Sequence, residues 1–431
     1  MNVIKKENVI KKGKDIRKLG VIKKIKLVLL LLILIIAYCY SLIIGYLPDQ
    51  IILFEGEKLD IPSFFGINFS MEDEYGVIET SSNISESISE DIGVSKMNVN
   101  LFNQLSIKYI DVSILPKTTV IPVGNLAGVK LYTNGVLVVG MSEIQGEDNK
   151  IYKPYEKTGI EEGDTIIAVN NQTIHSTEDL ISCVNNSLGN EVEIDFVRDN
   201  ESLQCSMTPV KTQDEEYKLG LWVRDSAAGV GTVTFYEPES KTFAALGHGI
   251  VDIDTKQLIN ISSGEFVTTK ILNIQKGEKG EPGRIQGTID NQPNIGTIYK
   301  NTKFGIYGKV DNLLPLNLNN SKEMEVALRD EIHTGKATIL ATLENGKTQE
   351  YDIEIKKIFK ENNYDNKSMQ IKIVDEDLLE KTGGIIQGMS GSPIIQDGKF
   401  IGAVTHVLVN NPQEGYAVFG DIMIKQLKSI E

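Results

Sequence analysis

From Tyr217 to its last dozen residues the chain shows no sustained helical period. After "YKLGLWVRDSAAGVGTVTFYEP" it runs through short alternating segments, "TFAALGHGIVD", "TKILNIQKG", "IQGTID", "KFGIYGKV", "KATILATL", "YDIEIKKI", "MQIKIVD" and "SPIIQDGKFIGAVTHV", separated by turn residues. Many short strands at such spacing favour a barrel or a sandwich. "GEKGEPG", Gly277–Gly283, has a collagen-like look, but about two triplets cannot build a triple helix, so a surface loop is expected.

The whole chain, 431 residues, suits two or three domains rather than one. Its charge is unevenly spread. Residues 1–26 carry Lys5, Lys6, Lys11, Lys12, Lys14, Arg17, Lys18, Lys23, Lys24 and Lys26 against Glu7 and Asp15, whereas the net charge of the whole is −15. A body this acidic repels phosphate, which argues against a nucleic-acid partner. The basic head is followed by "LVLLLLILIIAYCYSLIIGYL", Leu27 to Leu47, without a charge. Such a run is long enough to cross the roughly 30 Å hydrocarbon core as a helix. Lys and Arg stay on the cytoplasmic side, so the body is expected outside the cytoplasm, on a single-pass signal anchor. A cleaved signal peptide is the competing reading, and no small-x-small site precedes Pro48 to support it. Of the three cysteines, Cys39 lies in this span, and Cys183 and Cys205 are expected as free thiols.

Residues 48–106 are expected to be a juxtamembrane segment followed by an exposed linker, because "MEDEYGVIETSSNISESISEDIG" is rich in acids, Ser and Asn. From Ile107 the pattern changes to β-rich runs. In "YEKTGIEEGDTIIAVNNQTIHSTEDLISCVNNSLGNEVEIDFVRD", Glu162-Gly163-Asp164 turns into a strand over Thr165–Val169. Thr177 is placed to cap a helix with Leu180, Ile181 and Val184 inward, and Gly189 to end it before the alternating "EVEIDFVR". This order resembles a PDZ domain of the protease-associated kind over residues 107–212. Such domains take a partner peptide as an added strand beside the helix, its end on a loop of backbone N–H groups. That loop is expected near Gly128, Val129, Lys130 and Leu131, and the ligand peptide can belong to another protein or to this chain.

"QGMSGSPIIQDGKFIGAVTHV", residues 387–407, puts a serine in a small loop. A serine becomes a useful nucleophile when a base takes its proton, a third group orients the base and backbone N–H groups meet the oxyanion. Gly388 and Gly391 permit the backbone angles that let successive amides converge, and Pro393 fixes the exit. "GMSGSP" resembles the serine loop of trypsin-like proteases, which implies Ser390 as nucleophile and the N–H groups of Gly388 and Ser390 as the oxyanion hole. In that frame "IGAVTHV" is the cleft strand, with Thr405 near the catalytic acid and His406 in the wall. Four histidines can supply the base: His175, His248, His333 and His406. His248, where the apolar "AAL" runs into a glycine loop, is placed as such a base is in those enzymes.

Taken together, "RDSAAGVGTVTFYEP", "ALGHGI", "KTGGIIQGMSGSPIIQDGKFIGAVTHVLVNNP", the PDZ segment and the apolar N-terminal run resemble the stage IV sporulation protein B family of serine peptidases. The resemblance implies a mainly β chain: an N-terminal transmembrane helix, a PDZ domain and a trypsin-like double β-barrel peptidase domain over residues 216–431. It implies a signalling protease in the space between the forespore membranes. There it would cleave a membrane-bound inhibitor of an intramembrane metalloprotease, activating a late sigma factor, and process itself near its own N-terminus. By motif, His248 is the base, Ser390 the nucleophile and Asp375 the acid, while the order of a two-barrel fold favours Asp290 as the acid instead. No cofactor or metal is expected. A non-catalytic PDZ scaffold tethered to the membrane and a serine-dependent esterase are the competing readings.

Overall fold

The computed structural model describes residues 26–42, 44–45, 47–55, 66–73, 76–81, 93–102, 104–318, 321–344, 346–360 and 365–428. Residues 26–42 and 44–45 are helical, with Leu29, Leu31 and Ile33 exposed. Among the described residues no helix is long and apolar enough to cross a membrane. The basic head, residues 1–25, and positions 43 and 46 of the expected span lie outside the described residues.

A first compact unit contains an antiparallel sheet in the order Gly76–Ser81, Ile67–Asp73, Gly93–Leu101, Leu105–Leu115. This replaces part of the expected linker. The strands form because Ile67 and Phe69 alternate with Asn68, and Met97 and Val99 with Asn98, so each presents one apolar face. Residues 82–92, the most linker-like stretch, lie outside the described residues.

The second unit comprises Ile52–Glu57 and Leu115–Glu431 and is built on two rings of strands. In the first ring Leu126–Met141 pairs with Ile261–Gln275, that with Arg284–Thr302, and that with Gly305–Val310. Thr242–Ala245 and Leu221–Glu237 follow, and the last pairs back onto Leu126–Met141. The second ring is a closed barrel of Gly335–Glu344, Lys347–Ile358, Met369–Ile373, Asn411–Phe419, Lys399–Leu408 and Pro393–Gln396. Ile339, Ile353, Ile371, Ile394, Val404 and Val418 are buried in it, one face of each strand turned inward as the alternation dictates.

One strand pair crosses the expected domain boundaries. Leu126–Met141 and Leu221–Glu237 form one long antiparallel pair, from Leu126 opposite Thr232 to Met141 opposite Leu221. The first half of each strand pair belongs to the first ring, and the far half enters the PDZ-like part, where Val136 and Leu137 pair with Ile166 and Thr165. The first ring thus begins before the PDZ-like segment, which is inserted into one of its hairpins. Helix Thr177–Asn186 packs Leu180 and Val184 onto Val136, Ile166, Ile194 and Phe196. Its cap is Ser176, joined with Asp179 in a capping box, rather than Thr177, and Ile181 is 53% exposed rather than inward.

Candidate active site and peptide groove

His248 follows the first-ring strand Thr242–Ala245, and Ser390 precedes the second-ring strand Pro393–Gln396. Both line one cavity of about 890 Å³, with Gly388, Thr405, His406 and Asn366. The rest of its lining is largely apolar, including Val129, Ala227, Ile250, Ile385 and Ile386. Pro282, from the collagen-like loop, also reaches it.

His248 Nδ1 lies 2.9 Å from the carbonyl oxygen of Gly249. A carbonyl only accepts, so Nδ1 carries the proton and Nε2 keeps the lone pair, the tautomer a general base needs. Burial pushes the His248 imidazole below its ordinary value, the Gly249 carbonyl working the other way. His406 is held at about 4, by burial first and then by the charge that His248 carries when protonated and that of Lys367. Both rings are therefore neutral at neutral pH. The Ser390 hydroxyl donates to the Thr405 carbonyl at 2.9 Å.

In the serine loop, the N–H groups of Gln387, Met389, Gly391 and Ser392 donate to Gly283, Ile386, Val404 and Met389 carbonyls. The N–H groups of Gly388 and Ser390 have no such partner among the described residues. Gly388 has φ +104°, a conformation that favours glycine. The two amides that the trypsin-like loop implies as an oxyanion hole are thus the unpaired ones. An arrangement of this kind, a nucleophile with free amides beside it and a neutral imidazole, suits acyl transfer.

Asp375 is not brought to this cavity. It is the N-cap of helix Glu376–Thr382, its carboxylate accepting from Leu378 N–H at 2.9 Å and Asp352 N–H at 3.3 Å. The segment "VDEDLLE", in which the family motif implies the acid, is a helix start. Asp290 lies on strand Arg284–Thr302, with its side chain outside the described residues. Among the described residues that line the cavity there is no carboxylate. Thr405 donates its hydroxyl to the Asn366 carbonyl at 2.7 Å. His333 is exposed and bonds Asp397 at 2.8 Å, and His175 is exposed. Among the described residues no group of His, Cys, Asp and Glu is arranged to hold a metal.

The segment Gly128–Leu131, expected as the peptide-binding loop, is not a loop. Those four residues sit inside a strand paired on both sides, with Ala227–Val230 and with Gly264–Val267, so their N–H and C=O groups are already used. A groove of about 710 Å³ instead runs between helix Thr177–Asn186 and the segment 216–223. Tyr217 N–H donates to Asn185 Oδ1 at 2.8 Å, and Gly220 turns with φ +76° into Leu221–Val223. That stretch pairs with Val138–Met141 on one edge. Its other edge faces the groove, with Ile181 and Trp222 among the lining residues. An extended peptide can add there as a strand. The signal was the "KLGL" of residues 218–221, which the sequence places after the PDZ-like segment and the fold returns to its helix.

Residues 215–424 match the family model of the SpoIVB peptidase S55, and residues 135–208 that of the PDZ domain. The regulator of sigma-W protease RasP of Bacillus subtilis (strain 168) is 29% identical over 117 residues, 26% of this chain and 25% of that protein. The zinc metalloprotease RasP of Shouchella clausii (strain KSM-K16) is 35% identical over 95 residues, 22% of each. The chain spans about a quarter of the length of these curated relatives. The crystal structure of the PDZ domain of an SdrC-like protein from Listeria monocytogenes aligns at 16% identity and a TM-score of 0.17, covering 21% of this chain and 87% of that one.

Proposed function

The chain belongs to the SpoIVB serine peptidase family and carries a PDZ domain, and from that premise we propose that it is a membrane-anchored signalling endopeptidase of sporulation that uses His248 and Ser390. The observation that carries the assignment is the single cavity in which Ser390, the tautomer-fixed His248 and the two unpaired amides meet. In the reaction Ser390 turns its hydroxyl from the Thr405 carbonyl to His248 Nε2. Nε2 takes the proton as Oγ bonds to the peptide carbonyl carbon, and the oxyanion is received by the N–H groups of Gly388 and Ser390. Collapse breaks the C–N bond, His248 returns the proton to the leaving amine, and water repeats the sequence to free the acyl group. Among the described residues, the Gly249 carbonyl is the group that orients the base.

The substrate of this reading is a membrane-bound inhibitor of an intramembrane metalloprotease, whose removal triggers late sigma-factor activation. The family resemblance supports it, as does the likeness to two proteins named regulator of sigma-W protease and zinc metalloprotease. The uncharged run Leu27–Leu47 behind ten basic residues supports an anchor with the body outside the cytoplasm, in the space between the forespore membranes. Self-processing would fall between the anchor and the PDZ part, within 48–100, and the peptide groove would hold a protein end, from this chain or its substrate.

The test is the full chain in detergent, wild type beside Ser390→Ala, followed with a fluorophosphonate probe and by intact mass over hours. Wild type is expected to label at Ser390 and trim itself, and the Ala variant to do neither. Equal behaviour of the two would leave a PDZ scaffold without catalysis as the reading.

A further inference from the structure

The serine loop belongs to the second ring, yet its geometry is fixed from the first. Thr232, on strand Leu221–Glu237, is 2% exposed. Its N–H donates to the Ser390 carbonyl at 3.1 Å, and its hydroxyl donates to the Gly388 carbonyl at 2.6 Å. Its own carbonyl accepts from Leu246 N–H at 3.2 Å, two residues before His248. One residue thus touches both halves of the candidate site.

The loop peptides flanking the free amides are held at both ends. Gly388 C=O is bound by Thr232 while Met389 N–H donates to Ile386, and Ser390 C=O is bound by Thr232 while Gly391 N–H donates to Val404. The N–H groups of Gly388 and Ser390 have no bond of their own to hold them, so their direction depends on these neighbouring peptides. The approach is close: a Cβ at Gly391 would meet the Thr232 carbonyl oxygen at 2.2 Å. A buried strand position that served packing alone would suit Val, which carries no hydroxyl to desolvate. Two residues along the same strand, the Thr234 hydroxyl is buried without a partner, so strand geometry by itself does not supply one.

We infer that Thr232 is a positioning residue for the oxyanion amides, locking the serine loop of one ring to the His248 strand of the other. This rests on Ser390 being the nucleophile. The unit of function is then the hydroxyl of Thr232, and the strand that carries it continues to Leu221–Val223 in the peptide groove.

The experiment compares wild type, Thr232→Val, Thr232→Ala and Thr232→Ser in the full chain. It records the labelling rate against fluorophosphonate concentration, the fraction finally labelled, and thermal melting. For Thr232→Val the maximal labelling rate is expected to fall between about 10- and 100-fold, the range a misplaced oxyanion site produces. The half-saturating probe concentration and the final fraction labelled should stay near wild type. Thr232→Ser should recover most of the rate. A merely structural role would lower the labelled fraction and the melting temperature but leave the rate of the folded fraction alone. The inference is overturned if Thr232→Val labels at the wild-type rate, or if Thr232→Ser is as slow as Thr232→Val. If the Val variant does not fold, the folded fraction of Thr232→Ala serves, with the same two outcomes. Wild type failing to label at Ser390 would remove the nucleophile assignment first, and this inference with it.

Discussion

The His248 and His406 rings lie 5.3 Å apart, tilted by 37°, beside the Ser390 loop. Two imidazoles this close cannot both be protonated without repulsion, and burial already disfavours either charge. The pair therefore has a defined response to acid. His248 stays neutral below the ordinary 6.5, and His406 down to about 4. Labelling of Ser390 should accordingly persist below pH 6.5, where an ordinary imidazole base would be lost. Stability follows the same groups with the opposite consequence. The unfolded chain takes up protons near 6.5 while the folded one does so only lower, so acid favours unfolding over that window. The melting temperature should rise as pH increases from about 4 to 6.5 and the His contribution should then level off. His406→Phe should flatten that slope.

Asp375 separates a cap from a charge. Asn is a good cap and Ala is not, so Asp375→Ala should cost about 1 kcal/mol and Asp375→Asn little. The Asp375 carboxylate binds Leu378 and Asp352 N–H and lies off the cavity. Labelling of Ser390 in the Asn variant should therefore match wild type. Loss of labelling in a folded Asn variant would show that the carboxylate itself is needed.

Arg224, on the strand next to the peptide groove, binds Asp252 and Asp254 in the turn after His248. Asp252 is 1% exposed and also accepts from Asp254 and Thr255 N–H. Burial raises its carboxyl, but those bonds and the guanidinium outweigh it and leave it below the usual carboxylate value. Its stabilisation is present above pH 3.8 and is lost on further acidification. Arg224→Met strands a buried carboxylate and should lower stability by about 3 kcal/mol in urea melts. Labelling should slow as well, because the His248 loop loses its tie.

Ile181 and Trp222 are 53% and 64% exposed at the groove. Ile181→Asp and Trp222→Ala should change melting by less than about 0.5 kcal/mol, as surface changes do. A screen of immobilised peptides with free C-termini should find ligands for wild type that both variants bind about tenfold more weakly or worse. Gly220→Ala should also fail, through strain at φ +76° and a clash with the Ser142 carbonyl at 2.6 Å.

Local chemistry made several of these parts legible in the sequence. The "GMSGSP" loop, the glycine-flanked His248, the "GDTIIAVNN" strand and turn, and the helix after His175 each rest on propensities that act over a few residues. The charge contrast between head and body was likewise a matter of counting. What the tertiary structure decided depends on partners far apart in the chain. Leu126 meets Thr232, so the PDZ part is an insertion into a hairpin of the first ring, and Tyr217–Leu221 returns to a helix that ended about 30 residues earlier. Thr232 holds a loop 156 residues away, and no spacing rule could have singled it out from Thr234, the other threonine of "GTVTFY". The family motif implies Asp375 as the acid, whereas in the fold its carboxylate caps the helix it starts. A side chain's type sets the chemistry it can do, whereas the fold's long-range pairings select which neighbours it meets.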